Sequence, residues 1–214
     1  MIKHYQPIKE IIDDLLSKTK DYVKILEIGP GQIPFPGATH FIDHIMVGPN
    51  IINIDICNDK FPWEDNFFDF VYCRHVLEDI QNPVACFKEI VRVGKRGYIE
   101  TPSAIVEISR HVDRANQAFR GYIHHRYIFW NEANVLNCIA KYPCIEYLKL
   151  PDCTSLLQDK YNWNNYYLWD KDTAKIKEWK NDIDFKINQH YEQILQQIVP
   201  ISLQVCQAYK NNIN

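Results

Sequence analysis

The chain has 214 residues, 46% of them apolar, enough for one sizeable α/β domain with a full core. Its 24 basic and 27 acidic residues leave a net charge of −3, too balanced for nucleic acid or an anionic membrane as the main partner. No apolar run reaches the length of a membrane span. The N-terminal MIKHYQPIKEIIDDLLSK lacks the uninterrupted apolar stretch of a signal peptide, so a cytoplasmic protein is expected.

The seven cysteines form no Cys-x-x-Cys pair. Neither a disulfide framework nor a structural zinc site fits that spacing, and the cysteines read as small buried side chains. No metal is expected.

In chain order, residues 6–18 read as an amphipathic helix, with Ile8, Ile11, Ile12, Leu15 and Leu16 at helical spacing. YVKILEIG, ATHFID, NIINIDI and FDFVYCR follow as four strands. VLEDIQNPVACFKEIVRVG reads as helix with a break at Pro83, and RGYIETPS as a fifth strand. FWNEANVLNCIAKY reads as a helix with Asn131 as its cap. IEYLKL and YNWNNYYLWD are the sixth and seventh strands. Residues 173–209 are helical in pattern, with an interruption at Pro200.

Strands that alternate with helices predict a mostly parallel sheet with helices on both faces. Ligands bind such sheets outside the carboxyl ends of the strands. The first of these ends is Glu27-Ile28-Gly29-Pro30-Gly31. Its two glycines let backbone N–H groups approach a ligand closely; an ordinary tight turn is the alternative. Asp43 ends the next strand, where a carboxylate can accept both hydroxyls of a ribose; a cap or turn residue is the alternative. It comes early because Pro34 and Pro36 prevent a regular helix between them. The first crossover is therefore shortened and irregular. Asp55 follows the third strand and can accept from an exocyclic amine such as that of adenine. Phe61 and Trp63 can bound a flat ring or pack in the core.

The pieces ILEIGPG, FID, NIDI, FPWEDNFFDFVYCRHVLEDIQNP, FKEIVRV and GYIETPS stand in one order across residues 25–103. In that order they resemble the class I S-adenosylmethionine-dependent methyltransferases, in particular the methyltransferase type 11-like group. The resemblance implies a Rossmann-like α/β fold with a seven-stranded, mostly parallel sheet whose last strand is antiparallel. It implies S-adenosyl-L-methionine as cofactor. Glu27, Gly29, Pro30, Gly31 and Gln32 would hold its methionine end, and Asp43 its ribose. Asp55 and Ile56 would face adenine, Cys73 and Arg74 would line the methionine moiety, and His75 would face the transferred methyl or the substrate. The chain departs from the family where Gln32 and Pro34 replace a glycine and a helix, and at Asp79, where relatives often carry His. On this reading residues 1–214 form one methyltransferase domain, with an N-terminal helix (6–18), a cofactor-binding half (22–103), a substrate-side insertion (about 104–130) and C-terminal helices (about 173–209).

The insertion SRHVDRANQAFRGYIHHRYIFW supplies the candidates for acceptor chemistry. Histidine acts as a base near neutral pH, and arginine pairs with carboxylate or phosphate. His124 and His125 join His75 as candidate catalytic residues, against the alternative of surface histidines in a polar loop. A metal at His111, His124 and Asp113 is the lesser reading. The expected acceptor is a small molecule, and a hydroxylated metabolite such as a sugar suits it. Two alternatives remain at this level: a non-catalytic cofactor-binding or scaffolding subunit, and an NAD-dependent oxidoreductase. Oligomeric state is not legible in the sequence.

Overall fold

The computed structural model describes residues 6–46, 48, 50–113, 118–180 and 187–213. Its elements in chain order are α1 (Lys9–Thr19), β1 (Ile25–Ile28), β2 (His40–Asp43), β3 (Ile51–Asn53), β4 (Phe70–Arg74), α2 (Pro83–Val93), β5 (Arg96–Pro102), α3 (Ala104–Ile108), β6 (Tyr127–Glu132), β7 (Val135–Ala140), β8 (Asn164–Asp170), β9 (Ile176–Trp179) and α4 (Ile187–Ile213). Short 3-10 turns cover Pro143–Tyr147, Thr154–Gln158 and Lys160–Trp163. The chain divides into two compact units.

The first unit holds residues up to Glu100 and Tyr167–Lys175. Its strands belong to a six-stranded sheet of order β3-β2-β1-β4-β5-β8. The β3–β2, β2–β1, β1–β4 and β4–β5 pairs are all parallel. Lys171 N–H bonds Lys95 O at 2.9 Å, and Arg96 pairs with Asp170. Contacts that descend β8 as they climb β5 make β8 antiparallel. The expected α/β sheet is therefore present, with six strands in place of seven.

Register assigns the faces. Glu27 lies opposite Phe41 on β2 and Tyr72 on β4, Tyr72 lies opposite Tyr98, and Arg74 opposite Glu100. Alternation puts these residues on one face. Leu26, Ile28, Val71, Cys73 and Ile99 take the other, where Cys86 of α2 lies beside Cys73. Helix α2 starts at Pro83, where a missing N–H costs nothing. Asn82 Oδ1 caps it from the Ala85 N–H at 3.2 Å. It buries Cys86, Phe87, Ile90 and Val93. Between β1 and β2, residues 29–39 contain no helix. Phe35 covers the sheet there instead, its ring stacked on Tyr72 at 4.6 Å between centroids.

The second unit holds Thr101–Tyr166 and most of the C-terminal region. Here the structure departs from the sequence reading in four places. The helix expected over FWNEANVLNCIAKY is a β-hairpin, β6 and β7, in register from Tyr127↔Ala140 to Glu132↔Val135. Ala133 and Asn134 turn it with φ of 50° and 61°, the left-handed pair of a tight primed turn. The sixth strand expected at IEYLKL is a 3-10 turn. Pro143 opens that turn, and Glu146 is drawn to the Arg120 N–H at 2.9 Å and to the Arg110 guanidinium. Next, Ile176–Trp179 within the expected C-terminal helices is β9, parallel to β7. Residues 181–186 lie outside the described residues. Finally, helix α4 runs through Pro200 without a break. Tyr191, Leu195, Ile198 and Val199 tie it into the core with Ile105, Ile128, Trp130 and Ile139, and burial of that stripe outweighs the hydrogen bond that proline removes.

Candidate functional site

The carboxyl end of β1 turns sharply. Gly29 and Gly31 have φ of 66° and 53°, the left-handed region where glycine carries no steric cost. Gly29 N–H is bound to Ile42 O at 2.9 Å. A Cβ on Gly29 would come within 2.5 Å of Val76 Cγ2, whereas a Cβ on Gly31 would meet nothing within 4 Å. Gly31 thus shows bare backbone to open space, and Gln32 beside it is exposed, while Pro30 is buried. Glu27 is 2% exposed. Its Oε2 accepts the Phe35 N–H at 2.9 Å. Burial pushes its carboxyl up to about 7, against the pull of the Phe35 N–H and Arg74.

Asp43 stands at the carboxyl end of β2. Its Oδ1 accepts the Ile45 and Met46 N–H groups at 2.7 and 2.9 Å, so that oxygen shapes the turn. Asp55 is more committed. Oδ1 accepts the Cys57 N–H at 2.9 Å and Oδ2 the Asn58 amide at 2.8 Å. Those bonds, the Asn58 amide first, hold its carboxyl below the usual range. Ile56 beside it is buried.

At the end of β4 the three candidates differ. Cys73 is 1% exposed and faces the apolar side of the sheet, so it can offer a ligand backbone and not a thiol. Arg74 Nε donates to Glu100 Oε1 at 3.0 Å. His75 adopts φ of 53°, an uncommon conformation for a side chain with a Cβ. Its Nδ1 is 3.1 Å from Glu78 Oε1, and its Nε2 is 3.6 Å from Glu100 Oε1. Tyr98 donates its phenol to Glu100 Oε2. Burial alone would depress the His75 pKa, but Glu100 and Glu78 outweigh it and raise it to about 9. Glu100 answers in the opposite sense. Burial pushes its carboxyl up, yet His75, Arg74 and the Tyr98 phenol bring it to about 2. His75 is therefore an imidazolium at neutral pH, a donor that cannot also accept a proton. Glu78, only 1% exposed, is the member of this cluster that the sequence reading passed over. Its signal is an acid three residues after His75.

His124 and His125 belong to the second unit. His125 is buried, its Nδ1 2.7 Å from Glu107 Oε1. Lys141 Nζ reaches Glu107 Oε2 at 2.5 Å and the carbonyls of Arg120 and Tyr122. His124 is exposed and packs edge-on against Tyr122 and His125. His111 is also exposed, at φ of 61°.

Residues 26–99 match the family model described as a methyltransferase domain. The match covers about a third of the chain. No curated protein matches the chain. Among solved structures, the chain is similar to the PH0226 protein of Pyrococcus horikoshii OT3, at 20% identity over 45% of this chain and 53% of that one, with a TM-score of 0.38. It is similar to a SAM-dependent methyltransferase of Thermotoga maritima, at 18% identity over 53% and 58%, TM-score 0.36. A third likeness is to the N-terminal domain of EvdMO1 with SAH bound, at 17% identity over 46% and 50%, TM-score 0.37. The chain spans about half the length of these structures. The matched residues run from β1 into β5, the strands whose carboxyl ends carry Gly31, Asp43 and His75.

Proposed function

We propose that the chain is an S-adenosylmethionine-dependent methyltransferase that acts on a small-molecule acceptor, a hydroxylated metabolite such as a sugar. The observation that carries this reading is the exit of β1. There the bare backbone of Gly31 opens to space at φ of 53°, within the same parallel sheet that ends β2 on Asp43. That arrangement fits a zwitterionic amino-acid end held by backbone and a ribose held by a carboxylate. Gly29, Gly31 and Gln32 would take the first, Asp43 Oδ2 the second. Ile56 supplies an apolar surface for adenine, and the Asp55 carboxylate fixes the turn that presents it. No helix among the described residues is long and apolar enough to cross a membrane.

When bound, the cofactor supplies a methyl group already activated on a sulfonium, which leaves the protein to align the acceptor and exclude water. His75 can hold an oxygen of a ligand through its charge. A hydroxyl acceptor also needs a base. Of the three histidines proposed as catalytic, His75 is engaged by Glu78 and Glu100, and His125 by Glu107 in the second unit, where His124 is exposed.

The test is calorimetric titration with S-adenosylhomocysteine, with NAD as control, followed by transfer of labelled methyl to a panel of sugars, polyols and amines. Micromolar binding of S-adenosylhomocysteine alone, with label in a hydroxylated acceptor, is expected. Binding of NAD in its place would overturn the reading.

A further inference from the structure

Glu27 occupies the position where the family resemblance places a contact to the methionine end, and one of its carboxyl oxygens already has a partner within the chain. It is buried in the sheet at 2% exposure, and its Oε2 is spent on the Phe35 N–H at 2.9 Å. Phe35 lies midway along the irregular connection, between Pro34 and Pro36, with its ring stacked on Tyr72. The connection has few other anchors: Gly29 N–H to Ile42 O, Ala38 N–H to Phe35 O, and Thr39 N–H to Ile25 O. Two of these lie at its ends and one is internal to the loop. The Glu27 carboxylate is thus the tie between the middle of the connection and the strand it leaves.

We infer that Glu27 is a positioning residue that holds the 29–39 connection in its cofactor-binding shape through Phe35, and that its protonation loosens this hold. The inference rests on the methyltransferase reading and deepens it: the site gains a built-in dependence on pH. The groups that face Glu27 are few. From β4 come Arg74 and the Tyr72 phenol, while the Cys73 thiol lies near on the opposite face of the sheet. The β2 residue opposite is Phe41 and the connection presents Phe35, neither of which titrates. Arg74 and Tyr72 do not change charge near neutrality, and the Cys73 thiol is pushed well up by burial. Glu27 itself is raised to about 7 by burial, so it gains its proton across the physiological range. A carboxylate accepts an N–H more strongly than a neutral carboxyl does, so the tie is firm above pH 7 and weaker below.

The experiment is calorimetric titration of the full chain with S-adenosylhomocysteine from pH 5.5 to 8.5, for the natural protein, Glu27→Gln and Glu27→Ala. The natural protein is expected to bind roughly tenfold more weakly at pH 6 than at pH 8, about the strength of one such hydrogen bond. Glu27→Gln, which keeps a carbonyl oxygen but does not titrate, should bind independently of pH. Glu27→Ala should bind weakly throughout. Removal of a buried charge should also raise the melting temperature of Glu27→Gln at pH 8, so weak binding cannot be laid to unfolding. Parallel pH profiles for the natural protein and Glu27→Gln would overturn the inference. If S-adenosylhomocysteine binds at no pH, the cofactor reading falls, and the tie is judged by exchange of the Phe35 amide proton. Exchange that accelerates below pH 7 beyond its intrinsic rate in the natural protein, and not in Glu27→Gln, upholds it; identical exchange in the two rejects it.

Discussion

Arg74 and Glu100 meet across β4 and β5, Nε to Oε1 at 3.0 Å, with 2% of the Glu100 side chain exposed. The carboxylate answers two cations, Arg74 and His75, and accepts the Tyr98 phenol. Removal of one partner from a buried pair strands the other charge, at a cost of about 3–5 kcal/mol. Glu100→Gln should therefore lower the urea midpoint by that equivalent without a change in slope. Because the folded pKa of Glu100 is about 2, its contribution is present above the ordinary carboxylate range and fades as pH falls toward 2. A loss under roughly 1 kcal/mol at pH 7 would show that Arg74 finds another acceptor.

His75 gives the mirror-image prediction. Its folded pKa of about 9 stands above the value of a free histidine near 6.5. Its stabilisation is complete below that lower value and is lost as pH rises through 9. Asparagine tolerates the left-handed backbone that His75 adopts. His75→Asn should thus fold, and its stability should lack the decline of roughly 1–3 kcal/mol expected in the natural protein between pH 7 and 9.5. Unfolding curves across that range decide it; equal slopes would exclude a charged His75.

The two loop glycines should separate fold from ligand. Gly29→Ala adds a methyl 2.5 Å from Val76 Cγ2 at φ of 66°. Clash and strain together should cost about 2–4 kcal/mol of stability. Gly31→Ala meets no protein atom, so strain alone should cost about 1 kcal/mol. Its main effect should be weaker binding of S-adenosylhomocysteine, because the methyl fills the space the ligand uses. Unchanged affinity in Gly31→Ala would move the ligand away from this loop.

Asp43 is tested by a pair of substitutions. Asp43→Ala should weaken S-adenosylhomocysteine binding more than tenfold, as expected for a lost hydroxyl contact worth about 1–3 kcal/mol. Asp43→Asn retains an oxygen for the Ile45 and Met46 N–H groups and so keeps the turn. If Asn restores full affinity, the aspartate is a turn residue alone; if it restores the fold and not the affinity, Oδ2 is a ligand group.

The first half of the chain was readable because its signals are local. Apolar runs bounded by Gly29, Asp43 and Arg74 end strands where strands do end, while the helix read across Pro83 begins only at that proline and residues 76–82 hold turns and bends. The second half was not readable for physical reasons. VLNCIA alternates poorly, and its turn is Ala133-Asn134 where the strong hairpin signal is Asn-Gly. Only pairing with β6 and β9 makes it a strand. Pro200 looked like a stop because sequence counts the lost hydrogen bond and not the packing of Tyr191, Leu195 and Ile198 around it. At the site, positions were legible and orientations were not. The sequence names the residues after each strand, but nothing in it shows that Cys73 turns to the core or that Asp55 spends both oxygens on its own turn.

The absence of a helix in residues 29–39 also bears on which cofactors this sheet can refuse. A helix that begins at such a turn concentrates about half a positive charge there, and a pyrophosphate bridge depends on it. Here the turn offers the bare backbone of Gly31, with the buried Glu27 carboxyl on the strand behind it. A doubly anionic linker would lack that helix field at this turn, whereas a ligand with a sulfonium or thioether linker carries no such charge to place. The two prolines that displaced the helix thereby make the charge of a cofactor's linker a criterion at this turn, one that the NAD control in the titration reads directly.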